Sequence, residues 1–359
     1  MVANLTTRLG QLTSSPAGGP YTGANKIING DMVIDQRGAI ITTDNTYVVD
    51  RFLVRLVNQT AQTFQAQQSS LASTTPSGFI NGLKYLFGGT AAAPAATMVA
   101  GIVQKIEGLN CGDMKFGTAD AKAILLSFWC KSSVTGTFGV CFFNSANNRS
   151  FPATYTISVV NTWEYKTVAV PGDTSGTWLV TNGIGLQVSW DLGVGSTYSG
   201  TATGAWQAAD YRGVTSTTKL CATTAGDFFL TGVKLELGSI ATPFVPDDYQ
   251  VSLGKCQRYY RKIIYAASSW WGAGAAWGTG NAGSGMTWSP TMRAAPTVTL
   301  PSTINWDNTT GGAIASVTTT VTVIGLDNFR LSGTAASGWV AGNATLIEFT
   351  GNLVMDAEL

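Results

Sequence analysis

Histidine is absent from all 359 residues of this sequence. Without an imidazole the chain has no Ser-His or Cys-His nucleophilic pair and no histidine general base. It also lacks the side chain that most zinc and copper sites use. Hydrolases built on such pairs, and nearly all common zinc and copper sites, are therefore excluded.

Cysteine is scarce, and the five cysteines are widely spaced with no CxxC pair: Cys111, Cys130, Cys141, Cys221 and Cys256. An odd number at these spacings does not predict a disulfide framework. Cys130 and Cys141 fall on neighbouring predicted strands, where buried thiols that act as small apolar side chains are favoured over a disulfide.

Charged residues make up only 11% of the chain, and the 21 basic and 20 acidic side chains are scattered singly. No basic stripe follows a phosphate backbone, so nucleic acid is not expected as a partner. No apolar run approaches the roughly 18 residues of a membrane span, and the N-terminus lacks the pattern of a signal peptide. We expect neither a membrane span nor secretion by a signal peptide.

Glycine is abundant, with 42 residues accompanied by many Thr and Ser, and no segment has the apolar periodicity of a long helix. Alternating apolar segments predict seven strands between residues 25 and 246: 48–57, 124–131, 138–143, 154–160, 163–170, 184–190 and 228–237. Short strands with Gly-rich turns and no amphipathic helices between them exclude a parallel α/β sheet. The sequence therefore predicts an all-β protein with a jelly-roll β-sandwich over 25–246.

Residues 259–359 predict a second, smaller C-terminal β domain, because they contain further short β-branched segments. Its predicted strands are 258–267, 285–288, 297–300, 315–324, 329–331 and 346–354. The segment 278–283, GTGNAG, matches a dinucleotide-loop string, but no buried strand precedes it and no helix follows. We interpret it as a Gly-rich surface loop.

Between the two domains, Pro243 and Pro246 exclude a helix in the residues that precede them. Asp247 or Asp248 can then cap a short connecting helix over 247–258. At the other end, residues 1–24 combine Leu5, Leu9 and Leu12 at helical spacing with a Ser/Pro/Gly run. That pattern is typical of an attachment peptide followed by a flexible linker, although a terminus with no role fits the composition equally well.

The strand, Pro-bounded corner and helix from Phe228 to Tyr260 include the strings ATPF and CQRYY. Further motifs accompany them in order along the chain, at 25–38, 104–143, 161–172, 289–298 and 355–359. Together they resemble bacteriophage tail-fibre and related virion proteins, in which such a segment connects a carbohydrate-binding-module-like jelly roll to a second β domain. The resemblance implies a virion protein made in the host cytoplasm, which docks on other virion proteins through its N-terminus and forms a homotrimer.

Similar jelly rolls often hold a calcium ion between their first and last strands. Here Asp31 is a candidate ligand, but the last predicted strand has Thr231 and Gly232 where such modules commonly have acidic residues. With few oxygen ligands, no metal site and no cofactor is predicted.

Carboxylate pairs are the remaining catalytic groups, because glycoside hydrolysis needs only two Asp or Glu side chains. Glu107 with Asp113, and Asp191 with Asp210, are candidates. Solvated turn carboxylates are the favoured interpretation, and no catalytic residue is predicted.

Aromatic residues give the remaining functional signal, because flat rings cover the apolar face of a pyranose while neighbouring polar groups bind its hydroxyls. Three tryptophans in a predicted Gly/Ala loop of the C-terminal domain, Trp270, Trp271 and Trp277, are assigned to glycan ahead of Trp206 and Tyr211 in the jelly roll. The C-terminal domain is the end farthest from the proposed anchor. Packing between subunits is an equally favoured role for these loop tryptophans.

By contrast, Trp129, Trp163 and Trp190 fall within predicted strands and are assigned to core or edge packing. The sequence thus predicts a non-enzymatic tail-fibre or receptor-binding protein that contacts host-surface glycan. The alternatives are a head, collar or decoration protein without a receptor role and, with less support, a polysaccharide depolymerase.

Overall fold

A computed structural model of the chain describes residues 24–59, 61–71, 76, 78–308, 313–314 and 316–359, except for the side chains of residues 267, 268, 270, 271 and 323. The predicted attachment residues Leu5, Leu9 and Leu12 lie outside these ranges. The chain divides into an N-terminal unit, which extends to Tyr249, and a C-terminal unit over Gln250–Glu358.

The N-terminal unit is built from short strands joined by turns. Its strands are β1 (Thr46–Tyr47), β2 (Phe52–Val57), β3 (Gln62–Ser70), β4 (Asn81–Gly89), β5 (Val99–Glu107), β6 (Ile124–Ser132), β7 (Gly136–Phe143), β8 (Ser150–Ile157), β9 (Glu164–Val170), β10 (Ile184–Asp191), β11 (Ser199–Gly200), β12 (Gly213–Val214) and β13 (Asp227–Leu237). One antiparallel sheet has the order β1-β2-β5-β10-β7-β8, and a second has the order β3-β4-β13-β6-β9. The short strands β11 and β12 form a separate parallel pair.

The core of this unit lies between the two large sheets, because alternate side chains of each strand face inward. Phe128 of β6 meets Trp190 of β10 edge to face, with ring centroids 5.7 Å apart, and also meets Tyr155 of β8 at 5.0 Å. Phe228 of β13 lies 6.2 Å from Phe138 of β7. Each of these contacts joins the two sheets into one sandwich.

The predicted all-β class and jelly-roll sandwich are confirmed, and each of the seven predicted strands overlaps an observed one. Six strands were not predicted: β3, β4 and β5, and the two-residue strands β1, β11 and β12. The β3 sequence, QTFQAQQSS, is mostly polar because only Phe64 and Ala66 point into the core. Its strand conformation depends on pairing with β4, which the local sequence does not reveal.

The last strand, β13, contains a bulge where its register with β6 shifts between Thr231 and Lys234. Gly232 occupies the bulge with φ +60°, and a Cβ there would lie 2.6 Å from the Phe79 ring. A side chain at this position would therefore be both strained and crowded.

Helix α1 (Tyr249–Gln257) lies at the boundary between the units. The C-terminal unit follows with β14 (Tyr260–Ala276), β15 (Asn281–Thr287), β16 (Thr297–Thr299), β17 (Thr303–Asn308), β18 (Thr318–Ile324), β19 (Asn328–Thr334) and β20 (Ala344–Asp356). They form one sheet in the order β16-β20-β14-β15-β19-β18, and β17 also pairs with β20. Its core includes Trp306, Phe329 and Phe349. None of the helices in the described ranges has the length and apolar character needed to cross a bilayer.

Two local predictions for this unit need correction. The Gly/Ala segment with Trp270 and Trp271 was predicted as a loop, but β14 continues through it to Ala276 because the backbone pairs with β20 across two register shifts. The segment GTGNAG was predicted as a loop throughout, but from Asn281 onward it belongs to β15, which pairs with β19.

Trp190 is fully buried, which confirms its assignment to the core. We expect Trp190→Ala to lower the free energy of unfolding of the N-terminal unit by about 3–5 kcal/mol, because it leaves a cavity where the two sheets meet. Trp163→Ala, a half-buried control, should cost about 1 kcal/mol. Urea denaturation monitored by circular dichroism would test this, and equal costs for the two variants would contradict the central role of Trp190.

Candidate functional site

A concave surface with an exposed aromatic ring lies on β15 and β19 of the C-terminal unit. The two strands are antiparallel, with Gly285 opposite Arg330 and Thr287 opposite Asn328. A groove of about 430 Å³ lies over them, lined by Trp277, Gly283, Ser284, Gly285, Met286, Thr287, Asn328, Phe329 and Arg330. We call it the Trp277 groove.

Trp277 is held at this groove by the turn between β14 and β15. Its backbone N–H donates to the Asn281 carbonyl at 3.1 Å. The indole lies against Gly283, where a Cβ would approach the ring carbon Cη2 to 2.5 Å. Because Gly283 has no side chain, the ring fits against the strand while 49% of the Trp277 surface stays exposed.

Arg330 lies next to this ring, with its guanidinium carbon 4.5 Å from the Trp277 ring centroid. A cation at this distance over an indole makes a favourable cation–π contact, which holds both side chains at the groove. The groove therefore combines an apolar ring, a guanidinium with several N–H donors, and the small polar residues Thr287 and Asn328. That mixture suits a ligand with one apolar face and several polar groups, such as a sugar.

The other predicted glycan-binding residues are placed differently. The backbones of Trp270 and Trp271 lie in β14, and their side chains lie outside the described part of the structure. In the N-terminal unit the Trp206 indole N–H donates to the Pro171 carbonyl at 2.7 Å. Its ring packs against Trp178 at 5.1 Å and against Phe151 at 5.4 Å. Trp206 is thus engaged in packing against the sandwich core.

Tyr211 also makes internal contacts. Its ring lies over Gly200, where a Cβ would come within 2.4 Å of the ring carbon Cδ2. Its backbone N–H donates to the Ser150 hydroxyl at 3.3 Å. Among the predicted residues whose side chains are described, Trp277 is the one that lies at a groove.

A second concave surface, which the sequence did not reveal, lies on the outer face of the six-stranded sheet. It is a cleft of about 260 Å³, lined by Leu53, Arg55, Val99, Val103, Lys105, Phe143, Ser145, Asn147, Ile184, Gln187, Ser189 and Arg212. Arg55 pairs with Asp44 at 3.0 Å, and Arg212 pairs with Asp210 at 2.9 Å. The ring that lines it, Phe143, is buried, so the cleft presents polar groups without an exposed stacking surface.

The outer face of the five-stranded sheet carries a row of alternating lysines and rings: Lys84 of β4, Phe229 of β13, Lys131 of β6 and Trp163, which directly precedes β9. The ammonium of Lys131 lies 4.1 Å from the Phe229 centroid and 5.5 Å from that of Trp163, and Lys84 lies 5.3 Å from Phe229. The rings thus take part in cation–π contacts within the unit. The sequence indicates this row through the alternation of core-facing and outward-facing residues in β6, which places Lys131 on the face opposite the core.

The candidate carboxylates are engaged in structural contacts. Asp191 is completely buried, pairs with Lys219, and accepts hydrogen bonds from the backbone N–H groups of Val194 at 2.8 Å and Val214 at 3.0 Å. Asp113 pairs with Lys26 at 2.5 Å. These contacts use the carboxylates to hold loops, and the Trp277 groove lining named above contains no Asp or Glu.

Within the described residues no three Cys, Asp or Glu side chains gather closely enough to hold a metal ion. Burial raises the pKa of the Asp31 carboxyl above its ordinary value, and the nearby Asp247 charge adds to this effect. All five cysteines are buried, which confirms the predicted burial of Cys130 and Cys141. Burial raises the pKa of Cys111 and Cys130 to about 12, so their thiolates are disfavoured at neutral pH.

No family model matches the chain, and no curated protein matches it. Among solved structures, the enzymatically active domain of tailspike protein 4 from bacteriophage CBA120 aligns with 60% of this chain at 12% identity and a TM-score of 0.31. The aligned part covers 21% of that tailspike chain.

Two carbohydrate-binding modules are also similar. The module TmCBM61, solved in complex with β-1,4-galactotriose, is covered over its whole length by 60% of this chain at 8% identity and a TM-score of 0.30. The family 11 module of a Clostridium thermocellum cellulosomal cellulase is covered to 97% by 57% of this chain, at 12% identity and a TM-score of 0.27. Similarity at this level identifies neither a family nor a function.

The buried ion pair of Asp191 predicts that Asp191 and Asp210 contribute very differently to the free energy of unfolding. Asp191→Asn should lower the free energy of unfolding by about 3–5 kcal/mol, because it leaves the Lys219 ammonium without its buried counter-ion. Asp210→Asn removes a more exposed pair with Arg212 and should cost about 1 kcal/mol or less. Thermal or urea denaturation of both variants would measure this, and a neutral Asp191→Asn would show that the carboxylate is not structural.

Proposed function

We propose that this chain is a non-enzymatic bacteriophage virion protein, a tail fibre or receptor-binding protein, whose C-terminal unit contacts host-surface glycan at the Trp277 groove. The observation that carries the glycan role is a tryptophan that is half exposed beside a groove of about 430 Å³. The virion role is supported by the ordered motifs that resemble phage appendage proteins. Attachment through Leu5, Leu9 and Leu12 remains part of the proposal.

The exposure of Trp277 supports binding, since a large apolar ring left in water costs free energy that a ligand can recover. A pyranose placed against the indole would cover the ring, while its hydroxyls would face Thr287 and Asn328 at the groove edge. A single contact of this kind is worth about 1 kcal/mol. Several copies that engage one polysaccharide together would bind far more tightly than one.

Binding without cleavage is supported by the composition of the groove. Glycoside hydrolysis needs two carboxylates that flank the scissile bond. The groove lining includes no Asp or Glu, and in the N-terminal unit Asp113, Asp191 and Asp210 are all held in ion pairs. We therefore propose a protein that holds polysaccharide and leaves it intact.

Trp277→Ala should weaken binding to bacterial surface polysaccharide about fivefold per site, because it removes the stacking surface. Trp277→Phe should retain part of the affinity. Titration of the full chain against a panel of surface polysaccharides, with reducing ends assayed in the same samples, would measure both binding and cleavage. Release of reducing ends would contradict the non-enzymatic assignment.

The matched control is Trp163→Ala, which removes a half-buried tryptophan from the N-terminal unit and should leave binding unchanged. The competing role for Trp277, packing between subunits, gives a different result. Loss of the oligomer in Trp277→Ala would support that role, whereas an intact oligomer with weaker binding supports glycan contact. Unchanged binding and an unchanged oligomer would contradict both.

We also propose a homotrimer, which is supported by apolar side chains that the chain leaves in water. Ile240 and Val245, in the segment after β13, are 70% and 76% exposed, and Ile264 of β14 is 73% exposed. Contacts between copies would cover such side chains.

Light scattering should therefore give three times the chain mass of 37.6 kDa. Val245→Asp combined with Ile240→Asp should shift the mass toward the monomer, because it places charges in the proposed contact. A stable monomer of the wild-type chain over a wide concentration range would contradict the trimer.

A further inference from the structure

We propose that the Trp277 groove selects a sugar that carries a carboxylate, a hexuronic acid, and that Arg330 is the residue that selects it. This inference rests on the proposed glycan-binding function and adds the chemical class of the ligand. It depends on three observations: where Arg330 lies, what charges surround it, and which partners it has.

Arg330 lies in the middle of the groove. It is exposed on β19 and stands directly opposite Gly285 of β15. A Cβ added to Gly285 would meet no atom within 4 Å, so the space above that position is open. The guanidinium lies 4.5 Å from the Trp277 centroid. A ligand bound against the indole would therefore lie within reach of the Arg330 N–H groups.

The side chains that line the groove carry a positive charge and no carboxylate. Arg330 is the charged residue among those lining the groove. Its neighbours on the same face are uncharged: Ser332 follows two positions along β19 and pairs with Thr320 of β18 and Gly283 of β15. A carboxylate bound here would meet one cation and no competing carboxylate from the lining.

The partners of Arg330 differ from those of arginines in the N-terminal unit. There Arg55 pairs with Asp44 at 3.0 Å, Arg149 with Asp173 at 2.5 Å, and Arg212 with Asp210 at 2.9 Å. No described residue forms such an ion pair with Arg330, whose side chain contacts the Trp277 ring. The planar guanidinium can donate two parallel hydrogen bonds to one carboxylate. In Arg330 it faces the Trp277 ring and solvent instead.

A hexuronic acid matches this pair of side chains. Its ring offers an apolar C–H face to an indole, and its carboxylate projects from the ring edge, where it can accept two N–H bonds from a guanidinium. A neutral hexose would keep the stacking contact and lose the charge-assisted bonds. The predicted preference is about tenfold or more, because a hydrogen bond to a charged group contributes roughly 1.5–3 kcal/mol.

The test uses the full chain and two probes that differ only at the carboxyl carbon: an oligogalacturonate and the same oligosaccharide after reduction of its carboxyl groups to primary alcohols. Wild-type protein should bind the acidic form about tenfold or more tightly, and this preference should shrink as salt is raised. Arg330→Gln should remove the preference, so that this variant binds the acidic and the reduced forms with affinities within about twofold of each other. Arg330→Lys, which keeps the charge without the planar fork, should retain only part of the preference.

Lys255→Gln is the matched control, since it removes one positive charge from an exposed residue of helix α1 and should leave the preference intact. Trp277→Ala separates the two proposals, because it should weaken both forms equally. Equal binding of both forms by wild type, with loss of both in Trp277→Ala, would overturn the acidic preference and leave glycan binding standing. An intact preference in Arg330→Gln would also overturn it. Failure of wild type to bind either form would count against both proposals.

Discussion

The N-terminal unit depends on the contact between its two sheets at Phe128 and Trp190. These rings come from different sheets, and both are fully buried. Large rings remove much apolar surface from water and hold the two sheets at a defined separation. Once the inner faces are joined in this way, the outer faces and connecting loops are the surfaces available for other contacts.

Buried polar groups complete this unit, since the chain has few charges and places several of them inside. Asp191 binds Lys219 and two backbone N–H groups. Lys234 and Glu236, both nearly inaccessible, pair at 3.2 Å, and Glu236 accepts a hydrogen bond from the Thr242 hydroxyl at 2.6 Å. These contacts connect β10 and β13 to the loops beside them. Asp191, one of the carboxylates considered as a catalytic group from the sequence, thus has structural partners.

Small residues shape the surface of the C-terminal unit. Gly283 gives the Trp277 indole a place to lie against β15, and Gly285 leaves open space opposite Arg330. Larger side chains at these two positions would fill the groove. Gly283 and Gly285 are two positions apart and therefore lie on the same face of β15. For this reason the exposed Trp277 ring, the Arg330 guanidinium and an open strand surface occur together.

The sequence by itself determined the all-β class, the sandwich and most of its strands, because period-two alternation in 124–131 or 184–190 is a local property. It also distinguished Trp190 as a core residue and Trp277 as a candidate contact. Only the tertiary structure decided which aromatic residues are used internally: Trp206 packs edge to face against Trp178, and Phe229 lies between two lysines. It also showed β3, whose polar sequence forms a strand by pairing with β4. Side-chain exposure and strand pairing are set by residues distant in the chain, such as Arg330 for the Trp277 groove, so no local pattern could have predicted them.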